Sequence, residues 1–359
     1  MSRSRVAERE RIAELDAEIL KLERSLHALR SERATIWERL DTCQYPVLTL
    51  PNEITSEIFL NFIPVYPSRP PIFGINSPGQ LMRVCRQWRD IALHTPQLWR
   101  AMEIDIDDER YVRAANTWLV RSCSCPLSIK MNCFVEVLMI EALEVILSHR
   151  SRWQCVAIHG SDIPWDFHFL TDIASYPLLR QLDISGISDN PDSPTFTFSD
   201  APLLRTATLG DFDYPSGFLP WHQLTYLTLV SKTPTECTDV SKETINLIHC
   251  RLIIAEHGEV GINLPRLESL TLEYLLYFPA TCAITTFVVP SLRRLRVADA
   301  FIRPDPVGKL SSLIAKSGCK LQELCIIGDL STTENAYREA FPSISNLSFD
   351  MAIVEVDMI

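Results

Sequence analysis

LPRLESLTL, residues 264–272, places Leu267, Leu270 and Leu272 in one spacing: apolar, two others, apolar, one other, apolar. Such a spacing buries one face of a short strand and leaves the residues between on the other face. The same element recurs at Trp153, Val156 and Ile158; Leu179, Leu182 and Ile184; Leu204, Ala207 and Leu209; Leu224, Leu227 and Leu229; and Leu247, Cys250 and Leu252. It continues at Leu292, Leu295 and Val297; Leu321, Leu324 and Ile326; and Ile344, Leu347 and Phe349. The mean period is about 24 residues, a length at which each unit buries its apolar side only by stacking on the next. Five copies carry a proline just before the first anchor, as in YPLLRQL and VPSLRRL, which predicts a strand that begins from a turn.

Working outward, Leu127, Ile129 and Met131 alternate strictly and predict a strand, with Met102, Ile104 and Ile106 as an earlier cap strand. Segments Phe134–His149, Trp165–Ser175, Ser241–Leu247 and Lys309–Ser317 are long enough for one helix each. The pattern resembles the irregular leucine-rich repeats and implies an α/β horseshoe solenoid over residues 100–359, parallel strands inside and helices outside. It departs from that family at the asparagine or cysteine expected after the last strand leucine, where Ile187 and Phe212 stand in two copies. A non-repeating α/β domain with leucine-rich strands is the alternative.

Residues 47–99 read differently. VLTLPNEITSEIFLNFIP predicts a short amphipathic helix begun near Pro51, with Ile54, Ile58, Phe59 and Phe62 in one stripe. Four prolines between Pro64 and Pro71 impose a loop to residue 76. Ser77, Pro78 and Gln80 then supply an N-cap, an N1 proline and a capping-box partner for a second helix carrying Leu81, Val84, Cys85, Trp88, Ile91 and Ala92. The order of Leu50–Ile54, Val84–Ala92 and Thr95–Trp99 resembles the F-box, a small helical module, here with a long loop as in the F-box-like families of mushroom-forming fungi.

The resemblance implies residues 45–99 as an F-box that docks the Skp adaptor of a Skp/cullin/F-box ubiquitin ligase. Its transferable candidates are Leu50, Pro51, Ile54, Ile58, Val84, Cys85 and Trp88, with formation of the module's own core as the alternative role for each. The function implied is that of a non-catalytic substrate receptor with an unknown protein target. An interaction scaffold without ubiquitin transfer is the alternative.

Residues 1–44 predict an amphipathic, coiled-coil-like helix. Ile12, Ile19, Leu26, Arg33 and Leu40 fall at heptad position a, and Leu15, Leu22, Leu29 and Ile36 at d. Self-association through residues 12–40 and folding back on the same chain both satisfy such a seam. A parallel pair would set Glu18 against Glu23, while Arg11 facing Asp16 favours it.

Between the repeat anchors, a projecting set runs through Gln181, Asp183, Thr206, Thr208, Tyr226, Thr228, His249, Arg251, Ser269, Thr271, Arg294, Arg296, Glu323 and Asn346. Tyr226, His249, Arg251, Arg294 and Arg296 make its later part basic and aromatic, suited to an acidic or phosphorylated target. A solvated face whose arginines pair with neighbouring carboxylates is the other reading.

Composition narrows the classes. With 34 basic and 45 acidic residues, the net charge of -11 repels nucleic acid. Eleven glycines against 23 prolines leave little material for phosphate-cradling loops. Eleven scattered cysteines, no apolar run of membrane length and a charged N-terminus predict an intracellular protein, cytoplasmic or nuclear, with no membrane span. No HExxH, Walker or GxSxG pattern is present, Cys123 and Cys125 lack a second pair, and His249 reads as solvated or structural, so no catalytic residue, cofactor or metal is expected.

Overall fold

The computed structural model describes residues 2–42, 46–133, 136–163, 175–187, 197–210, 217–254, 258, 261–274 and 284–350. The helix expected over Trp165–Ser175 falls almost wholly outside them, and Phe212 falls outside them too. The chain divides into two compact units, Met1–Glu57 and Ile58–Ile359.

In the first unit, α1 (Ser2–Thr42) is one helix of 41 residues, about 62 Å long at 1.5 Å per residue. No glycine or proline interrupts it, and its surface is rich in good helix formers. The eight apolar seam residues are all exposed, from 41% at Ile36 to 63% at Leu22. A 3-10 turn at Pro46–Thr49 follows, then α2 (Asn52–Phe62), within which the division between units falls. The carbonyl of Pro51 opens α2 by accepting from the Thr55 amide at 3.0 Å.

The second unit is built on one parallel sheet. Its strands are β1 (Ala101–Ile106), β2 (Leu127–Cys133), β3 (Trp153–Ile163), β4 (Gln181–Ile187), β5 (Thr206–Leu209) and β6 (Tyr226–Lys232). They continue with β7 (His249–Ile254), β8 (Ser269–Tyr274), β9 (Arg294–Ala298), β10 (Glu323–Ile327) and β11 (Asn346–Asp350). All 11 pair in chain order. The register aligns the repeat with itself: Leu182, Ala207, Leu227, Cys250, Leu270, Leu295, Leu324 and Leu347 stand opposite one another along the sheet. Full burial of each leucine is worth roughly 1.5–3 kcal/mol, and the anchors from Trp153 to Ile344 are buried, with only Leu347 and Phe349 of the last copy half-exposed.

The prolines before the strands have a structural cause. Each of Leu179, Leu204, Leu224, Leu247, Leu267, Leu292 and Ile344 donates its amide to the carbonyl three residues earlier. That closes a turn in which Pro177, Pro202, Pro265, Pro290 and Pro342 occupy the second position, where a fixed φ suits the chain. The first residue of the turn is a further buried anchor: Tyr176, Ala201, Trp221, Leu264, Val289 and Phe341. Tyr176 also joins an aromatic stack with Trp153 and Phe198, which continues to Phe218, at centroid spacings of 5.7, 4.9 and 5.7 Å.

Helices occupy several connections: α3 (Arg86–Leu93) ahead of the sheet, then α4 (Glu109–Arg121), α5 (Glu136–Leu147), α6 (Pro234–Glu243), α7 (Asp299–Ile302), α8 (Pro306–Ser317) and α9 (Glu334–Ala340). Two of the expected helices, over Phe134–His149 and Lys309–Ser317, correspond to α5 and α8. The one expected at Ser241–Leu247 starts earlier. Thr233 caps it with a full capping box to Glu236, and it ends at Glu243 because residues 244–247 are used by the turn before β7.

Candidate functional site

Around Trp88 the local structure departs from a single helix. Ser77 caps as expected, its hydroxyl accepting from the Gly79 amide at 3.2 Å, but Gln80 does not close a capping box. Its side-chain amide donates instead to the Gly74 carbonyl at 2.9 Å, which also accepts from the Ser77 amide. Gly74 turns the chain there at φ +105°, a region that favours glycine.

Pro78–Arg83 is a short 3-10 turn, and Cys85 is extended at φ -156° before α3 begins. The break arises because the Cys85 sulfur takes over as N-cap, accepting from the Trp88 amide at 3.4 Å. It turns Val84 outward to 61% exposure while Leu81, Ile91 and Ala92 stay buried. Periodicity alone does not reveal such a restart, since both halves keep their apolar residues near helical spacing.

The adaptor candidates separate into two kinds. In the first unit Pro51 and Ile54 are exposed and Leu50 is half-buried. In the second, Ile58 and Val84 are exposed, and Cys85 and Trp88 are half-buried. Trp88 packs edge-on against Phe59 at 4.9 Å, and Phe59 is fully buried. Its indole nitrogen is buried with no hydrogen-bond partner among the described residues. Trp88 therefore contributes to the module's own core, whereas Ile54, Ile58 and Val84 hold apolar surface in water. Trp99, the last landmark of the motif, is wholly internal: its indole donates to the Ala92 carbonyl at 2.9 Å and its ring meets Trp118 at 5.3 Å.

The proline-rich loop is more than a connection, a role its prolines alone do not signal. Pro71 bridges Glu103 in parallel, with Ile72 donating to the Glu103 carbonyl and Glu103 to that of Pro70. The loop thus covers the first edge of the sheet, whose unpaired backbone would otherwise be open. Arg69 donates to the Ser128 hydroxyl at 3.0 Å, and Ser128 to the Pro67 carbonyl at 2.6 Å. Tyr66 donates to Gln154 at 2.6 Å beneath the Arg100 guanidinium, and burial, with Cys155 next, pushes its phenol up to about 12. It stays a neutral donor at physiological pH.

On the sheet, the projecting residues stand in register. One row runs Gln181, Thr206, Tyr226, His249, Ser269, Arg294, Glu323 and Asn346; the next runs Asp183, Thr208, Thr228, Arg251, Thr271 and Arg296. Tyr226 and His249 lie side by side, ring centroids 5.7 Å apart. Arg251 makes two bonds to Glu273, at 2.6 and 3.0 Å. Arg296 bonds Asp350 at 2.9 Å and stands 3.6 Å from Glu273. Two of the three candidate arginines are therefore neutralised by carboxylates, Glu273 and Asp350, that lie outside the projecting set. Glu273 is one position beyond Leu272 in the strand, and its register against Ile253 is the signal that could have found it. Arg294 is exposed, and Thr228 is buried.

Among the described residues no group of His, Cys, Asp and Glu is arranged to hold a metal ion, and no helix is long and apolar enough to cross a membrane. What the geometry offers is exposed aliphatic side chains, Ile54, Ile58 and Val84, and a ladder of polar and aromatic side chains on the sheet. No curated protein matches the chain. Residues 47–105 match the family described as F-box-like, so the chain carries an F-box-like domain over a span that runs past Trp99 into β1.

Proposed function

We propose that this chain is a non-catalytic, intracellular substrate receptor of a Skp/cullin/F-box ubiquitin ligase, in three parts: residues 1–44, 45–99 and 100–359. The observation that carries the reading is the exposure of Ile54, Ile58 and Val84 inside the stretch that matches the F-box-like family. Exposed aliphatic anchors on short helices suit the apolar groove of a partner. The adaptor is met by Leu50, Pro51 and Ile54 of the first unit and by Ile58, Val84, Cys85 and Trp88 of the second.

Residues 100–359 form a leucine-rich-repeat solenoid that holds the target. Support comes from the strictly sequential parallel pairing and the self-aligned register of the anchors. The target meets Tyr226, His249 and Arg294, with Arg251 and Arg296 set by their carboxylates. Because Pro70–Ile72 pairs with β1, the loop of the F-box stretch and the start of the sheet share backbone hydrogen bonds. A held target is then kept at a steady distance from the ligase, which raises the local concentration of its lysines.

Co-purification with the Skp adaptor tests the reading. Leu50→Asp combined with Trp88→Ala abolishes capture, and because Trp88 supports Phe59 the decisive variant is Val84→Asp, which alters only exposed surface. Capture should fall at least about ten-fold, the scale of one lost interface anchor, with the thermal transition unchanged; undiminished capture by folded Val84→Asp overturns it. The exposed seam of α1 supports a second reading, an interaction scaffold, which purifies without any adaptor.

A further inference from the structure

The seam of α1 has an occupant that its charges specify. Ile12, Leu15, Ile19, Leu22, Leu26, Leu29, Ile36 and Leu40 follow a heptad pattern on a continuous helix, and each is 41–63% exposed. A leucine stripe of this length stays soluble by meeting a matching stripe. Its charge is not uniform along the axis. Between residues 12 and 23, Glu14, Asp16, Glu18 and Glu23 outnumber Lys21. Between residues 24 and 40, Arg24, Arg30, Arg33 and Arg39 outnumber Glu32 and Glu38.

We infer that a second copy of this chain covers the seam, with the two α1 helices antiparallel. Running them in opposite directions lays the acidic half of each on the basic half of the other. Running them in parallel stacks the acidic half on itself and the basic half on itself, and the attraction of Arg11 for the partner's Asp16 is offset by Glu18 set against the partner's Glu23. The one charged seam position gives the same answer by a separate route. Arg33 lies at a, where parallel pairing opposes it to its own copy and buries two like charges side by side. Antiparallel pairing sets a against d, and in the register that lays Glu18 against the partner's Arg39 and Glu23 against the partner's Arg30, Arg33 meets the partner's Leu22. Its stem then lies over leucine while its guanidinium reaches the partner's Glu23.

The test uses the full chain at about 50 µM, roughly the range in which a moderate interface is populated. Sedimentation equilibrium should give twice the monomer mass, and Leu22→Asp with Leu29→Asp should give the monomer with the sheet's thermal transition unchanged. Glu18→Lys then reads the direction. In a parallel pair it turns a repulsion into an attraction and tightens the dimer; in the antiparallel pair it weakens the acid-on-base match. The expected result is a Kd raised about two- to five-fold at low ionic strength, on the scale of one or two surface ion pairs. Dyes on the two N-terminal amines should show little energy transfer, because the helix starts lie roughly 60 Å apart. A monomeric wild type, a higher assembly, a dimer that survives the Asp pair, tightening by Glu18→Lys, or strong transfer overturns the inference.

Discussion

The seam of α1 and the anchors of β3 to β10 are equally regular in apolar residues, yet one set is exposed and the other buried. The seven-residue period of α1 returns the apolar side to the same face of a single helix, and a single helix has nothing of its own to cover that face. The period of about 24 residues contains a strand, a return segment and a turn, so each copy brings its anchors against those of the next. Regular leucines thus close an element on itself only when the period is long enough to include the way back; a short period leaves the closing to something outside the helix.

Truncating the same residue type in the two regions gives the largest contrast. Leu270 is 1% exposed and sits in register between Cys250 and Leu295. Leu270→Ala should lower stability by about 2–5 kcal/mol, read as a shift in the urea midpoint followed by circular dichroism. Leu22→Ala, in dilute solution where α1 is alone, should leave that midpoint within ~0.5 kcal/mol. A large loss at Leu22 in dilute protein would break the comparison.

Ion pairs should sort the same way, less strongly. The Lys232 ammonium is almost fully buried and meets Glu236 at 3.1 Å, while Arg11 and Glu14 on α1 meet at 3.0 Å with both side chains about two-thirds exposed. Glu236→Gln should cost about 2–4 kcal/mol, because it takes a carboxylate away from a buried ammonium; Glu14→Gln should cost at most ~0.5 kcal/mol. The pH dependence has a definite sign. Burial pushes the Glu236 carboxyl up, but the Thr233 hydroxyl and amide and the Lys232 ammonium outweigh it and hold its pKa below the usual value. A lowered carboxyl stabilises the fold above its ordinary pKa of about 4.3 and loses that contribution as pH falls through the lower folded value. The gap between wild type and Glu236→Gln in urea should therefore be full at pH 7 and close with acidification below about pH 4.

Much of the sheet was legible because one rule, alternate burial in a strand, repeats until its period is plain. The anchor triplets through that of Leu321 are buried where the sequence puts them, and the helices at Ser2–Thr42 and after Pro51 are legible from their own apolar spacing. What escaped has a different origin. The buried apolar first residue of these turns is tyrosine, alanine, tryptophan, leucine, valine or phenylalanine, so no residue type repeats and only the turn geometry unites the set. Pro70–Ile72 pairs with β1 through backbone atoms, which side-chain patterns do not report. Glu273 follows an anchor and reads as strand-end surface until Arg251 and Arg296 are placed beside it. Within residues 47–105, which match the F-box-like family, the motif did not distinguish Trp88, packed on Phe59, from Val84, turned outward by the break at Cys85.

Cys85 offers the smallest effect and the finest division, because the F-box-like stretch mixes the two behaviours: Phe59 and Trp99 are closed over by the chain, Ile58 and Val84 are not. Cys85 stands at the boundary between them. Its sulfur accepts from the Trp88 amide, a cap that serine reproduces with a shorter, stronger acceptor and alanine removes. Cys85→Ala should lower the stability of the module by about 1 kcal/mol, and Cys85→Ser should match or slightly exceed wild type, both read by thermal melting. If the cap is the residue's whole role, Cys85→Ser also captures the adaptor at the wild-type level. Reduced capture by a serine variant of undiminished stability assigns the sulfur to the interface, and moves the line between self-covered and partner-covered surface one residue past Val84.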